Sequence, residues 1–123
     1  MQSLLPALML FTLGTSAFAG PADVIDVKVT RESGVANSYS FDVTISSDDT
    51  GWEKYADKWV VVAPDGKILG TRVLTHPHET EQPFTRSLGG VVIPADITTV
   101  TVRAHDKVEG FGGREFPVAL PAN

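Results

Sequence analysis

The segment YSFDVTIS, at residues 39–46, alternates strictly between apolar and polar side chains. This period of two is typical of a β-strand that buries one face, because successive side chains of a strand point to opposite sides. Residues 25–30 alternate in the same way, and no segment after residue 19 keeps apolar residues at helical spacing. Further strands are predicted at residues 58–63, 67–75, 84–88, 98–106 and 114–120. The sequence therefore predicts an all-β domain of seven strands. Its predicted core consists of Ile25, Val27, Tyr39, Phe41, Val43, Trp59, Val100, Val102 and Val118.

The length and composition fit one globular domain. The chain has 123 residues, of which 42% are hydrophobic and 20% charged, with a net charge of −5 and no cysteine. Without cysteine, disulfide frameworks, thiolate zinc sites and lipid attachment to an N-terminal cysteine are excluded. The acidic balance leaves no basic stripe to neutralise phosphates, so the sequence argues against a nucleic-acid partner.

The first 19 residues have the pattern of a secretory signal peptide. They contain no charged side chain, carry an apolar stretch at residues 4–13, and end in Ala17-Phe18-Ala19, the small-x-small form that signal peptidases cleave. The apolar stretch is about half the roughly 20 residues that a membrane-spanning helix needs, so no stable membrane anchor is expected. We therefore predict cleavage after Ala19 and export of residues 20–123 to the periplasm or the extracellular space.

Seven short strands separated by frequent turn signals are expected of a Greek-key sandwich. Across residues 20–123 the chain resembles the immunoglobulin-like superfamily, in Trp59 of the third strand, the hairpin around Pro64-Asp65-Gly66 and the run at residues 101–106 before a glycine-rich loop. It lacks that superfamily's inter-sheet disulfide and the tyrosine often found in the sixth strand. It is also similar to small exported bacterial proteins. The resemblance implies a seven-stranded immunoglobulin-like β-sandwich and no particular activity.

Polar residues collect in three of the predicted connections. In a sandwich whose strands run alternately up and down, the second, fourth and sixth connections lie at the same end. Here these are residues 46–57, 75–83 and 105–113, with net charges of −3, −2 and −1 in a chain of net charge −5. The same segments contain all three histidines. The sequence therefore predicts an acidic pole that attracts cations and repels nucleic acids and anionic lipids.

The sharpest local pattern in these connections is His76-Pro77-His78. Residues i and i+2 of an extended segment face the same side, so the two imidazoles could share one metal ion. His105 is a candidate third ligand, and Asp106 belongs to the same candidate metal site. Glu79 and Glu81 could ligate the ion or orient the free ring nitrogens. This set favours Cu(II) or Zn(II). Cu(I) carriage is not expected, because no methionine follows residue 19.

Two alternatives to a transition-metal site remain open. The histidines could instead be solvated or hydrogen-bonded within the fold. A calcium ion could also bind hard carboxylate oxygens in the first acidic loop. The candidate calcium ligands are Asp48, Asp49, Glu53 and Asp57, together with Asp106.

No catalytic pattern is found in the sequence. A nucleophile elbow, a Ser/His/Asp order in a recognisable context and a framed pair of carboxylates are all missing from it. We therefore expect a non-enzymatic protein, either a metal-binding exported domain or a module that binds an unknown protein partner. The second hypothesis uses Trp52, Tyr55 and Phe111 as loop anchors, and it predicts that the glycine-rich turn at residues 110–113 exposes Phe111.

Overall fold

The computed structural model describes residues 20–122, which form seven β-strands and no helix. The strands are β1 (Asp23–Arg31), β2 (Ser38–Ser46), β3 (Ala56–Val62), β4 (Ile68–Val73), β5 (Phe84–Val92), β6 (Thr99–Asp106) and β7 (Phe116–Ala119). In this part of the chain, no helix has the length and apolar character needed to cross a membrane. The predicted signal peptide, at residues 1–19, lies outside the described residues.

The strands form two antiparallel sheets. One sheet has the order β1-β2-β5 and the other has the order β4-β3-β6-β7. β3 and β4 form the predicted hairpin, in whose turn Gly66 N donates to Ala63 O and Ala63 N donates to Lys67 O. β6 pairs with the other side of β3. The predicted all-β fold is therefore confirmed.

A hydrophobic core lies between the sheets, and alternate residues of each strand contribute to it. The predicted core residues Tyr39, Phe41, Val43, Trp59, Val100 and Val102 are all buried. Val27 and Val118 are partly buried and pack against them. The core also includes Ile45, Phe84 and Ile93, which are among its largest fully buried side chains.

The prediction that Ile25 belongs to this core is wrong. The pairing of β1 with β2 shifts its register between Val24 and Asp26, as a β-bulge does. Because of this shift, Val24 is fully buried in the core and Ile25 is only half-buried.

The start of β1 also contacts the other sheet's last connection. Val24 N donates to Arg114 O at 2.9 Å, and Arg114 N donates to Asp23 Oδ1 at 2.7 Å. Ala22 is fully buried. The Gly113 backbone lies so close to Ala22 that a Cβ at Gly113 would be 1.9 Å from the Ala22 carbonyl oxygen. The segment before β1 is therefore held against the connection between β6 and β7.

The β2–β3, β4–β5 and β6–β7 connections meet at one end of the sandwich, which we call the loop pole. Ser47 N donates to Gln82 Oε1 at 2.9 Å, which joins the first connection to the second. Lys107 N donates to Tyr55 O at 2.9 Å, which joins the first to the third. The structure thus brings together the three segments that the sequence predicted to share an end.

Candidate functional site

Trp52 is a strongly exposed aromatic residue of the loop pole, with 61% of its surface accessible. Its ring meets that of Tyr55 edge to face, with 5.7 Å between the centroids. Lys107 Nζ lies 5.7 Å from the centre of the Tyr55 ring and donates to Trp52 O at 2.7 Å. Val108, the next residue, is also largely exposed. We call these four residues the Trp52 surface.

A partly buried ion pair supports the two loops that carry this surface. Lys54 Nζ lies 2.6 Å from Asp106 Oδ1, and the Asp106 side chain has no exposed surface. Asp106 Oδ2 accepts hydrogen bonds from the backbone N–H groups of Val108 and Glu109, both at 2.9 Å. The pair therefore fixes the β2–β3 connection to the β6–β7 connection beside the Trp52 surface.

Asp106 was predicted as a metal ligand, but its carboxylate is surrounded by donor groups of the protein. Burial by itself raises the pKa of this carboxyl, but the Lys54 ammonium and the two backbone N–H groups outweigh burial and lower the pKa below its ordinary value of 3.8. Both carboxylate oxygens accept hydrogen bonds from groups of the protein. This arrangement holds a charged Asp106 in place as a structural anchor.

A second carboxylate, Asp49, joins the first connection to the second. Asp49 Oδ1 accepts from Ser47 Oγ at 2.7 Å and from Ala56 N at 3.0 Å, while Asp49 Oδ2 accepts from His78 N at 2.8 Å. The side chain of Asp49 has no exposed surface. Its oxygens are thus directed at groups of the protein. Of the other candidate calcium ligands, Asp48 accepts a long hydrogen bond from Gly20 N, and Glu53 is exposed.

The rings of His76 and His78 are brought together, with 4.5 Å between their centroids. His78 is nevertheless buried, and its ring stacks on Phe84 at 3.9 Å. Arg86 Nη2 lies 3.0 Å from His78 Nε2, and because a guanidinium only donates, Nε2 is the acceptor there. His76 Nδ1 donates to the Pro77 carbonyl oxygen at 2.9 Å.

The surroundings of His78 favour its neutral form. Burial, the Arg86 guanidinium and the neighbouring His76 lower the pKa of His78 below its ordinary value of 6.5. The His78 Nδ1 atom is buried, and within residues 20–122 it has no hydrogen-bond partner. Its distance from Asp49 Oδ2 is 3.9 Å, which is too long for a hydrogen bond.

His105 occupies a different environment on β6. Its Nδ1 atom lies 2.6 Å from Asp57 Oδ1, and its ring meets the Phe111 ring edge to face at 4.7 Å. The Arg103 guanidinium carbon lies 4.5 Å from the centre of the Phe111 ring. Phe111 is half-buried by these neighbours, rather than exposed by its glycine-rich turn as predicted.

The predicted metal ligands are thus distributed among separate contacts. His76 and His78 lie together, His105 pairs with Asp57, Asp106 pairs with Lys54, and Glu79 is exposed. Among residues 20–122, no group of three or more histidine, aspartate or glutamate side chains could hold a metal ion.

Sequence reasoning did not predict the contacts that Arg86, Lys54 and Lys107 make at this pole. The alternation of Phe84, Arg86 and Leu88 could have indicated Arg86, because it places the three side chains on one face of β5. For Lys54 and Lys107 the only signal was their position in the predicted acidic connections.

Comparison with known proteins gives one informative similarity. A protein of Halomicrobium mukohataei that carries the name "Putative lipoprotein" is 42% identical to this chain over 97 residues. The match covers 79% of this chain and 46% of that protein, so the chain spans about half the length of the relative that it matches. No protein family profile matches the chain. No solved structure matches it significantly.

Proposed function

We propose that this chain is an exported, non-enzymatic β-sandwich that binds another protein through the Trp52 surface. The observation that carries the proposal is that Trp52 is exposed while Tyr55 and Lys107 hold it in place. Tryptophan and tyrosine are enriched among the residues that dominate binding energy at protein interfaces. Because Tyr55, Lys107 and the Lys54–Asp106 pair already hold the loops, little conformational entropy would be lost on binding.

We also propose an immunoglobulin-like Greek-key topology for the sandwich. Its support is the sheet order, in which β1 and β2, β3 and β4, and β6 and β7 pair within a sheet, while the other connections cross between sheets. Sandwiches of this type commonly use the loops at one end for recognition. The Trp52 surface lies on two such loops.

Export is supported by the signal-like residues 1–19 and by the name of the relative, which is that of a lipoprotein. The 123 residues of this chain contain no cysteine that could accept a lipid. We therefore propose export with cleavage after Ala19. Intact mass of the protein recovered from an exporting host tests the cleavage, and a mass that still includes residues 1–19 would reject it.

Site-specific photocrosslinking tests the binding surface. A photoreactive benzoylphenylalanine replaces Trp52 in one variant and Lys67, in the turn at the opposite end, in a control variant. We expect a defined protein adduct from position 52 and none from position 67. Addition of the unmodified domain should suppress the adduct, whereas its Val108→Asp variant should suppress it less. Equal adducts from both positions, or none from position 52, would contradict the proposal.

Binding of Cu(II) or Zn(II) is a second candidate function. The observation that favours it is the 4.5 Å separation of the His76 and His78 rings in an acidic pole. The Arg86 guanidinium at His78 Nε2 opposes it, because a metal ion there would meet a positive charge. Calorimetric titration of the tag-free protein separates the two functions. Saturable one-to-one binding that is lost in His78→Ala and kept in Asp65→Asn would support the metal site, and its absence would favour protein binding.

A further inference from the structure

We propose that removal of residues 1–19 creates an α-ammonium group on Gly20 that the Asp48 carboxylate binds, so that processing adds an ion pair to the loop pole. The inference rests on the proposed export and goes beyond it, because it gives a structural role to the new N-terminus. Asp48 belongs to the β2–β3 connection, which also carries Trp52. Processing would therefore strengthen the attachment of that connection.

The Gly20 backbone already lies between two charged groups of this connection. Gly20 N donates to Asp48 Oδ2 at 3.4 Å, and Gly20 O accepts from Lys54 Nζ at 3.0 Å. The Lys54 ammonium is in turn paired with Asp106 at 2.6 Å. The positive charge of Lys54 is thus matched by Asp106, and Asp48 is left as the carboxylate that faces Gly20 N.

The residues that follow Gly20 fix its position. Ala22 is fully buried, and Asp23 and Val24 are each hydrogen-bonded to Arg114. Gly20 is therefore only two residues from an anchored point of the chain. A charge on its nitrogen would be held close to Asp48.

Cleavage changes the chemistry of the Gly20 nitrogen. A signal peptidase of the exporting cell hydrolyses the bond between Ala19 C and Gly20 N with one water molecule, which leaves a carboxylate on Ala19 and an amine on Gly20. An amide N–H offers one donor in a fixed direction and no net charge. The protonated amine carries a full positive charge and three donors that rotate, so it can shorten the contact with Asp48.

The ion pair has a definite pH signature. A free α-amino group has a pKa of about 7.7–8.0, and a nearby carboxylate raises that value in the folded state. The stabilisation is therefore fully present below the pKa of the unfolded chain. It is lost as the pH rises through the higher pKa of the folded protein.

The test uses protein that a host has exported and processed, with intact mass confirming Gly20 as the first residue. The amine is labelled with ¹³C-methyl groups, and its pKa is measured by NMR in the native sequence, in Asp48→Asn and in Glu53→Gln. We expect the amine pKa to be higher in the native sequence than in Asp48→Asn, by roughly 0.2–0.7 units for an exposed pair. Glu53→Gln removes the same charge from the same connection. The amine pKa of this variant should stay closer to that of the native sequence than to that of Asp48→Asn.

Thermal unfolding between pH 7 and pH 9.5 provides a second measurement. The melting temperature of the native sequence should fall more over this range than that of Asp48→Asn. An equal amine pKa in the two proteins, or parallel melting profiles, would overturn the ion pair. A processed N-terminus other than Gly20 would instead overturn the proposed cleavage. The two failures are therefore distinguishable.

Discussion

Trp59 and Trp52 lie only seven positions apart and have opposite environments. Trp59 is fully buried in the core, on the inward face of β3. Trp52 lies in the connection before β3 and is exposed. The apolar strand predicted at residues 58–63 indicated the first environment. For Trp52 the sequence predicted a place at the loop end and a role as a loop anchor. It did not predict the contacts that hold this loop, because Lys107 and Asp106 are distant in sequence.

Replacement of Trp59 by alanine should lower the free energy of unfolding by about 3–5 kcal/mol, because it leaves a large cavity in the core. This is a large part of the roughly 5–15 kcal/mol that stabilises a typical domain. Chemical denaturation measures the loss. The matched Trp52→Ala variant should stay within about 0.5 kcal/mol of the native sequence, since its ring is exposed. A Trp59→Ala protein that unfolds at the same denaturant concentration as the native sequence would contradict the assigned core.

His78 should make the stability depend on pH under mildly acidic conditions. Burial, Arg86 and His76 lower its pKa in the folded state, so the unfolded chain takes up a proton at this residue more readily. The contribution of His78 is fully present above its unfolded pKa of 6.5 and is lost as the pH falls towards the lower folded value. Asp49, Glu81, His76 and Arg86 are the charged or titratable groups around it.

Denaturation at a series of pH values from 5 to 7.5 measures this effect. The His78→Gln variant should show a flatter stability profile than the native sequence, because glutamine does not titrate. The exposed neighbour provides the control, and His76→Gln should keep most of the slope. Equal slopes in the native sequence and His78→Gln would show that other groups cause the acid sensitivity.

The ends of most strands follow from the local sequence, whereas the end of β5 depends on its partner strand. Six predicted strands agree with the structure to within a few residues at each end, whereas β5 is four residues longer than predicted. Gly89-Gly90 looks like the end of a strand in the sequence, but Gly90 adopts a positive φ of 66° where the register of β2 and β5 shifts. Glycine permits this conformation without a steric penalty, so the strand continues past it to Val92. Such a bulge depends on the partner strand, and alternation along one strand does not predict it.

Gly113 provides a prediction about how the elements are joined. A Cβ at this position would lie 1.9 Å from the Ala22 carbonyl oxygen, a contact that only movement of one backbone segment can relieve. Gly113→Ala should therefore separate the segment before β1 from the β6–β7 connection and speed amide exchange at Val24. The neighbouring Gly112→Ala variant is the control, because its nearest contact would be 3.6 Å. Native exchange at Val24 in Gly113→Ala would contradict this packing.

At the scale of the whole molecule, the two sheets share a core, and neither sheet can bury its inward face alone. The acidic loop pole was predictable because the strand count determines which connections lie at the same end. The pairing within that pole was not predictable. Composition showed an excess of carboxylates. It did not show that Asp106 would form an ion pair with Lys54, or that Asp49 would accept three hydrogen bonds from the protein.

The shared core predicts cooperative unfolding of the whole domain. Thermal unfolding followed by circular dichroism should show a β-sheet spectrum without substantial helix. The midpoint temperature of this transition should equal the midpoint measured by the fluorescence of Trp59 in a Trp52→Phe background. Coincident transitions are expected when one core stabilises both sheets. Two separate midpoints would show that the sheets unfold independently.

The turn between β3 and β4 has a practical consequence for the study of this protein. β3 leads from the loop pole to this turn, so the exposed Lys67 and the Trp52 surface lie at opposite ends of the domain. Because the chain has no cysteine, Lys67→Cys would introduce a single thiol. Coupling through that thiol would immobilise every molecule on a sensor chip in the same orientation, with Trp52 directed into the flowing solution, where analytes arrive.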